Sequence, residues 1–181
     1  MKTKATSDTR QKLVDTASRL FYSQGYTSTG INQIIKEAAV AKDSLYKHFP
    51  SKEDLLMEYL AITAKATNEA IFNTISGIEK PKDKVLAIFD FLTKFSKSVR
   101  CEGCNFLNIA SEVPRENTRV RNLIKAQKDY IRNVFKEILP ASKKELADQI
   151  YVLFDGALVS TRIQGNTWPI VAAKKVIEKL M

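Results

Sequence analysis

An all-α fold of about nine helices is the architecture this sequence predicts, and three observations carry the prediction. Apolar residues recur at the three-to-four-residue spacing of a helix almost throughout, and no segment alternates apolar and polar residues as a half-buried strand does. Most Gly and Pro residues fall between the periodic segments, where they would stop or start a helix. Two Ser-x-x-acid signatures, Ser51-Lys52-Glu53-Asp54 and Ser142-Lys143-Lys144-Glu145, have the form of a helix start with its capping box.

Taken in order, the first helix is expected from near Thr9 to Gln24. Asp8 would cap it with Gln11 three residues on, Leu13, Ala17, Leu20 and Phe21 would form its apolar stripe, and Gly25 would be the left-handed stop. The second is expected from about Gly30 to Ala38 behind Thr29 as N-cap, with Ile31, Ile34, Ile35 and Ala38 inward. Ala39-Val40-Ala41 makes a turn and Lys42 to His48 the third helix, which Pro50 ends. The fourth runs from Lys52 to about Ser76, because neither Gly nor Pro occurs before Gly77. Pro81 suits the first turn of the fifth, whose stripe is Val85, Leu86, Phe89, Leu92, Phe95 and Val99. After a break at Arg100 to Gly103, a short sixth helix spans roughly Cys104 to Val113. The seventh is expected from about Thr118 to Leu139 with Val120, Leu123, Gln127, Tyr130, Val134 and Ile138 along one face. The eighth follows Ser142 and reaches about Gly165 with Leu146, Ile150, Leu153, Phe154, Ala157 and Leu158 inward, and Thr167-Trp168-Pro169 opens the ninth.

Composition narrows the function. The 181 residues are 44% apolar and 27% charged, as in ordinary soluble globular proteins. No apolar run is long enough for a membrane span, and the basic N-terminus leads into no apolar signal region, so a cytoplasmic protein without membrane partners is expected. Net charge is +9, and residues 1–52 hold nine Lys or Arg against four acids. That is the higher charge density a polyanion-binding end requires. A single His, no glycine-rich phosphate loop and no nucleophile motif give an enzyme reading no support, and no cofactor is expected. Cys101 and Cys104 alone cannot make a four-ligand metal site, because His48 is remote in sequence; no metal is expected. Cys101-x-x-Cys104 could form a redox pair, with Arg100 and a helix start lowering a thiol pKa, although two reduced thiols are the simpler reading.

The stretch Gly30 to Leu56 carries the most specific chemistry. Ile31, Ile35, Val40 and Leu45 would lock the second helix to the third, leaving Lys42, Asp43, Ser44, Tyr46, Lys47 and His48 outside as a basic, aromatic recognition helix. Lys47 and Ser44 would reach base edges; Tyr46, His48 and Lys52 would donate to phosphates, and the amides beginning at Gly30, beside Thr29, would hold another. The alternative is one corner of a helical bundle with these side chains merely solvated. Phe49, ahead of Pro50, is expected inside in either case.

Residues 10–56 resemble the DNA-binding region of the tetracycline-repressor (TetR) family of bacterial transcriptional regulators. The matching pieces are Ala17, Leu20-Phe21, Gly25-Tyr26, Thr29-x-Ile31, Ile34, Ala38-x-Val40 and above all Leu45-Tyr46-x-His48-Phe49-x-Ser51-Lys52-Glu53-x-Leu55-Leu56. Ala39 stands where the family usually has Gly, and Ala41 where it has a Ser or Thr cap. The resemblance implies that Thr29, Lys42, Tyr46, His48 and Lys52 mainly meet phosphate and that positions 43, 44 and 47 face bases, with Asp43 a specificity element that could accept from a cytosine amino group.

It also implies two parts: residues 1–50 as a DNA-binding head, and residues 51–181 as a body that dimerises through its last two helices and binds a small-molecule effector. Binding of an inverted-repeat operator as a homodimeric repressor, with release by the effector, is the function so implied. Leu153, Gly156, Ala157, Ser160, Val176, Ile177 and Leu180 are the candidate dimer contacts, small or apolar residues that permit close helix approach. Phe89, Leu92, Cys104, Asn105, Asn108, Gln127, Tyr130, Phe154, Gln164 and Trp168 are the candidate effector contacts, apolar surfaces with a few orienting amides.

Overall fold

Nine α-helices and one 3-10 turn account for the regular structure, and no strand occurs among the described residues. The structure, a computed structural model, describes the backbone of residues 2–98 and 102–181 and the side chains of residues 8–97 and 102–181. The helices are α1 (Lys2–Gln24), α2 (Ile31–Ala38), α3 (Lys42–His48), α4 (Lys52–Ile75), α5 (Pro81–Ser98), α6 (Asn105–Glu112), α7 (Thr118–Ile138), α8 (Lys144–Gln164) and α9 (Trp168–Leu180).

Local chemistry explains most boundaries. Ser51 caps α4: its hydroxyl accepts the Asp54 N–H at 3.1 Å while the Asp54 carboxylate, held below its ordinary pKa by Ser51 and Arg119, turns back on the cap. Asn117 caps α7 by accepting the Val120 N–H at 3.1 Å. Gly25 and Gly165 take positive φ where α1 and α8 end.

Three boundaries differ from expectation. First, α1 begins at Lys2, and Asp8 lies within it, paired with Lys12 four residues on rather than capping. Second, Ser142 forms no cap: Ala141–Lys143 is a 3-10 turn and α8 starts at Lys144 without a side-chain cap. Third, the inward face of α7 consists of Val120, Ile124, Gln127, Ile131, Phe135 and, just past its end, Leu139. That face is rotated by about one residue from the expected stripe, because Ile124, Ile131 and Phe135 bury more apolar surface than Leu123, Tyr130 and Val134 would.

By packing, the chain forms two compact units. One comprises Met1–Thr63 with Asn105–Ile124, and the other Ala64–Cys104 with Lys125–Met181. The first is filled by Leu13, Val14, Ala17, Leu20 and Phe21 of α1, Ile34 and Ala38 of α2, Leu45 of α3, Phe49, and Leu55, Leu56, Tyr59 and Leu60 of α4. The second is built around Val85, Ile88, Phe89 and Leu92 of α5, Ile131 and Phe135 of α7, Ile150 and Phe154 of α8, and Ile170 and Ile177 of α9. Phe154 meets Phe89 and Phe135 edge to face, at ring-centre separations of 6.1 and 5.7 Å.

Candidate nucleic-acid interface

The corner between α2 and α3 sets the geometry of the head. Ala39 lies in the left-handed region at φ 53, ψ 45, the one positive-φ residue other than Gly among the described residues. The Val40 N–H reaches back to the Ile35 carbonyl and the Ala39 N–H to Lys36, each at 3.2 Å, the double bond pattern of a Schellman stop. The turn therefore keeps the shape that Gly would give it. Ala41 is the N-cap of α3, and it supplies no side-chain bond.

From that corner α3 presents two faces. Leu45 points inward, and Phe49 follows it under the Arg10 guanidinium, 5.2 Å from the ring centre. Lys42, Asp43, Tyr46 and Lys47 are exposed, Tyr46 by 43%, while Ser44 and His48 are half-buried. Arg10 pairs with Glu58 at 2.7 Å and Arg19 with Glu37 at 2.5 Å, but Lys42 and Lys47 make no ion pair among the described residues. Lys42 and Lys47 are thus uncommitted cations on the outer face of α3. In the α2–α3 corner Ile34 and Leu45 are fully buried, whereas Ile31, Ile35 and Val40 are half-buried.

Two of the expected phosphate contacts, Thr29 and Lys52, also have partners within the chain. Thr29 is 0% exposed, and its hydroxyl donates to the Gly25 carbonyl at 2.6 Å and accepts from Gln24 at 3.2 Å. The Thr29 side chain is a clasp closing the α1–α2 turn, and the N-cap of α2 is the exposed Gly30. Lys52 is half-buried with its ammonium 4.2 Å above the centre of the Tyr26 ring, and burial lowers its pKa. Sequence reasoning missed a third participant, the α6–α7 corner. Glu112 accepts the Thr27 N–H at 2.6 Å, Asn117 donates to Glu53 at 2.7 Å, and Arg119 pairs with Asp54 at 2.7 Å. Separations of 64 to 85 residues leave no local pattern from which these contacts could be read.

Residues 13–59 match the profile of the bacterial regulatory proteins of the tetR family. The chain is 31% identical to the uncharacterized HTH-type transcriptional regulator YxaF of Bacillus subtilis, over 88% of this chain and 83% of that protein. This chain belongs to the TetR family. It is also 28% identical to the HTH-type transcriptional regulator LmrA of Bacillus subtilis, over 96% of this chain and 97% of LmrA. Among solved structures it is similar to SCO4454, a TetR-family transcriptional regulator from Streptomyces coelicolor, with TM-score 0.90 and 25% identity, covering 96% and 94% of the two chains. The molecule is thus a DNA-binding transcriptional regulator of the TetR family, with α2 and α3 as its helix–turn–helix.

In the rest of this TetR-family chain the expected effector contacts scatter. Phe89, Leu92 and Phe154 are packed together in the core of the second unit. Gln127 is buried there and donates to Asn68 at 2.8 Å. Cys104 is half-buried, its sulfur accepting from the Lys128 ammonium, which also pairs with Asp155 at 2.7 Å. Tyr130, Gln164 and Trp168 are exposed, Tyr130 because Ile131 occupies the inward place and Gln164 because it ends α8. Asn105 and Asn108 belong to the first unit, where Asn105 accepts the Tyr59 hydroxyl at 2.7 Å. Cys101 and Arg100 lie outside the described residues, and with them the proposed Cys101–Cys104 pair.

Of the expected dimer contacts, Ala157 and Ile177 are buried in the chain's own core. Gly156, Val176 and Leu180 are exposed, and Leu153 and Ser160 half-buried. The apolar face that α8 leaves uncovered runs instead through Val152, Gly156, Val159 and Ile163, with Val152 66% and Ile163 75% exposed. A groove of about 510 Å³ opens on Val152, Leu153 and Leu180, rimmed by Glu145, Asp148 and Gln149. No described helix is long and apolar enough to cross a membrane.

Proposed function

We propose that this TetR-family regulator is a repressor that binds an inverted-repeat operator as a homodimer and lets go when a small molecule occupies its body. The observation that carries the reading is the outer face of α3, where Lys42, Tyr46 and Lys47 stand exposed while Leu45 and Phe49 anchor the helix from inside. Lys47 and Ser44 then address base edges, with Asp43 beside them. Lys42, Tyr46, His48 and Lys52 serve phosphates, and Gly30 opens α2 toward another. Residues 1–50, with Lys52 just beyond them, are the part that meets DNA; the rest of residues 51–181 dimerise and take the effector in the cytoplasm.

Two copies are needed because successive half-sites lie about one helical turn of DNA apart. The uncovered α8 stripe of Val152, Gly156, Val159 and Ile163, together with Val176 and Leu180 of α9, supplies a face that two chains could share around a two-fold axis. An effector that binds one conformation of the body more tightly than the other shifts the dimer away from the spacing that fits DNA. Selection from random duplex DNA with the purified protein tests the reading. An enriched inverted repeat is expected, and failure to enrich any motif overturns it.

A further inference from the structure

Glu112 ends α6, 85 residues along the chain from Thr27, yet its carboxylate is set into the turn between α1 and α2. Oε2 accepts the Thr27 N–H at 2.6 Å. Oε1 lies 2.8 Å from where a Cβ on residue 25 would stand, so only Gly25, at φ +91, lets the carboxylate approach. The Lys52 ammonium feels the same negative charge while it rests over Tyr26. The turn thus held is the one closed by the Thr29 hydroxyl on the Gly25 carbonyl, and its next residue, Gly30, is the N-cap of α2.

The end of α6 that delivers Glu112 is itself fixed. The Arg121 guanidinium gathers the carbonyls of Ala110, Val113 and Pro114 at 2.9 to 3.2 Å, satisfying groups that a helix C-terminus leaves open. A carboxylate close to a DNA-facing turn weakens attraction to phosphate. Its presence there calls for a role that offsets the repulsion, and the Thr27 amide and Lys52 ammonium show one.

We infer that Glu112 is a positioning residue for DNA binding: its carboxylate fixes the Gly25–Thr29 turn and thereby the α2 N-terminus that meets a DNA phosphate. The inference rests on the DNA-binding reading of the head. It acts through the phosphate contact, so it governs affinity for all sequences alike and leaves base preference untouched.

The test uses the full chain, the operator recovered by selection, a scrambled duplex, and the variants Glu112→Ala and Glu112→Gln. Glu112→Gln keeps an oxygen for the Thr27 amide; Glu112→Ala does not. Glu112→Ala is expected to weaken operator and scrambled duplex by the same factor, about tenfold each, as lost positioning of a backbone contact should. Hydrogen exchange at the Thr27 amide is expected to speed up while exchange at core amides of α1 and α4 stays slow. Glu112→Gln should restore most of the affinity and protection. Wild-type affinity in Glu112→Ala overturns the inference, as does an equal loss in both variants, or a loss confined to the operator. If the wild-type protein itself enriches no motif, the DNA-binding reading falls and the positioning role falls with it.

Discussion

Ala39 holds a backbone conformation that costs an L-residue about 1 kcal/mol, because its Cβ crowds the neighbouring carbonyl. Replacing it by Gly removes that crowding while keeping both Schellman bonds, so Ala39→Gly should raise unfolding stability by about 1 kcal/mol. A higher urea midpoint at unchanged slope is the expected observation, and a lower midpoint would refute the strain. At Asp148 the residue-level effect depends on pH. Its carboxylate receives two hydrogen bonds from Arg132, at 2.7 and 2.6 Å, and lies 3.2 Å from Lys136; Arg132 first, and Lys136 after it, hold its pKa down at about 2. A depressed folded-state pKa contributes stability that is present above the ordinary carboxylate value near 4 and lost as pH falls toward 2. Stability should therefore decline through that window, and Asp148→Asn should flatten the decline; an unchanged acid profile would rule the pair out as a contributor.

At the scale of elements, the sequence reveals what local chemistry decides. Gly25, Pro81 and the Ser51–Asp54 cap mark helix limits correctly because each acts within one turn of the chain. The α7 face and the Ser142 start were misjudged because competing choices of nearly equal local merit are settled by distant packing: Ile131 outcompetes Tyr130 for the interior, and a 3-10 turn precedes α8. Likewise Thr29 has the residue type of a phosphate donor, but its hydroxyl is spent on Gly25, an outcome set by a backbone turn rather than by composition. Small residues direct the sequence reading to Gly156, Ala157 and Ser160 of α8, whereas the large apolar side chains that α8 leaves exposed are Val152, Val159 and Ile163. Ile163→Glu places a charge in that apolar face and should shift the protein to monomers in analytical ultracentrifugation, with loss of operator binding. A dimer of undiminished strength would move the interface elsewhere.

For the molecule as a whole, DNA affinity should fall steeply with salt, by about 0.9 log units per log unit of salt for each phosphate neutralised. Lys47→Ala should relax base preference, whereas Lys52→Ala should weaken all sequences alike and flatten the slope by about one contact. Binding isotherms at several salt concentrations distinguish the two, and equal loss of discrimination in both variants contradicts the division of labour. The same scale governs the order in which the protein is made. The unit that carries the helix–turn–helix joins Met1–Thr63 to Asn105–Ile124. A ribosome adding roughly 5–20 residues each second needs on the order of 3–12 seconds to travel from the end of the first segment to the end of the second. The nascent head meanwhile lacks Phe106, Ile109, Val113 and Val120 from its interior and Glu112 from its turn. The DNA-reading unit thus cannot close its own core until Ile124 has been added, and during that interval the apolar surfaces of its first segment are exposed to chaperones.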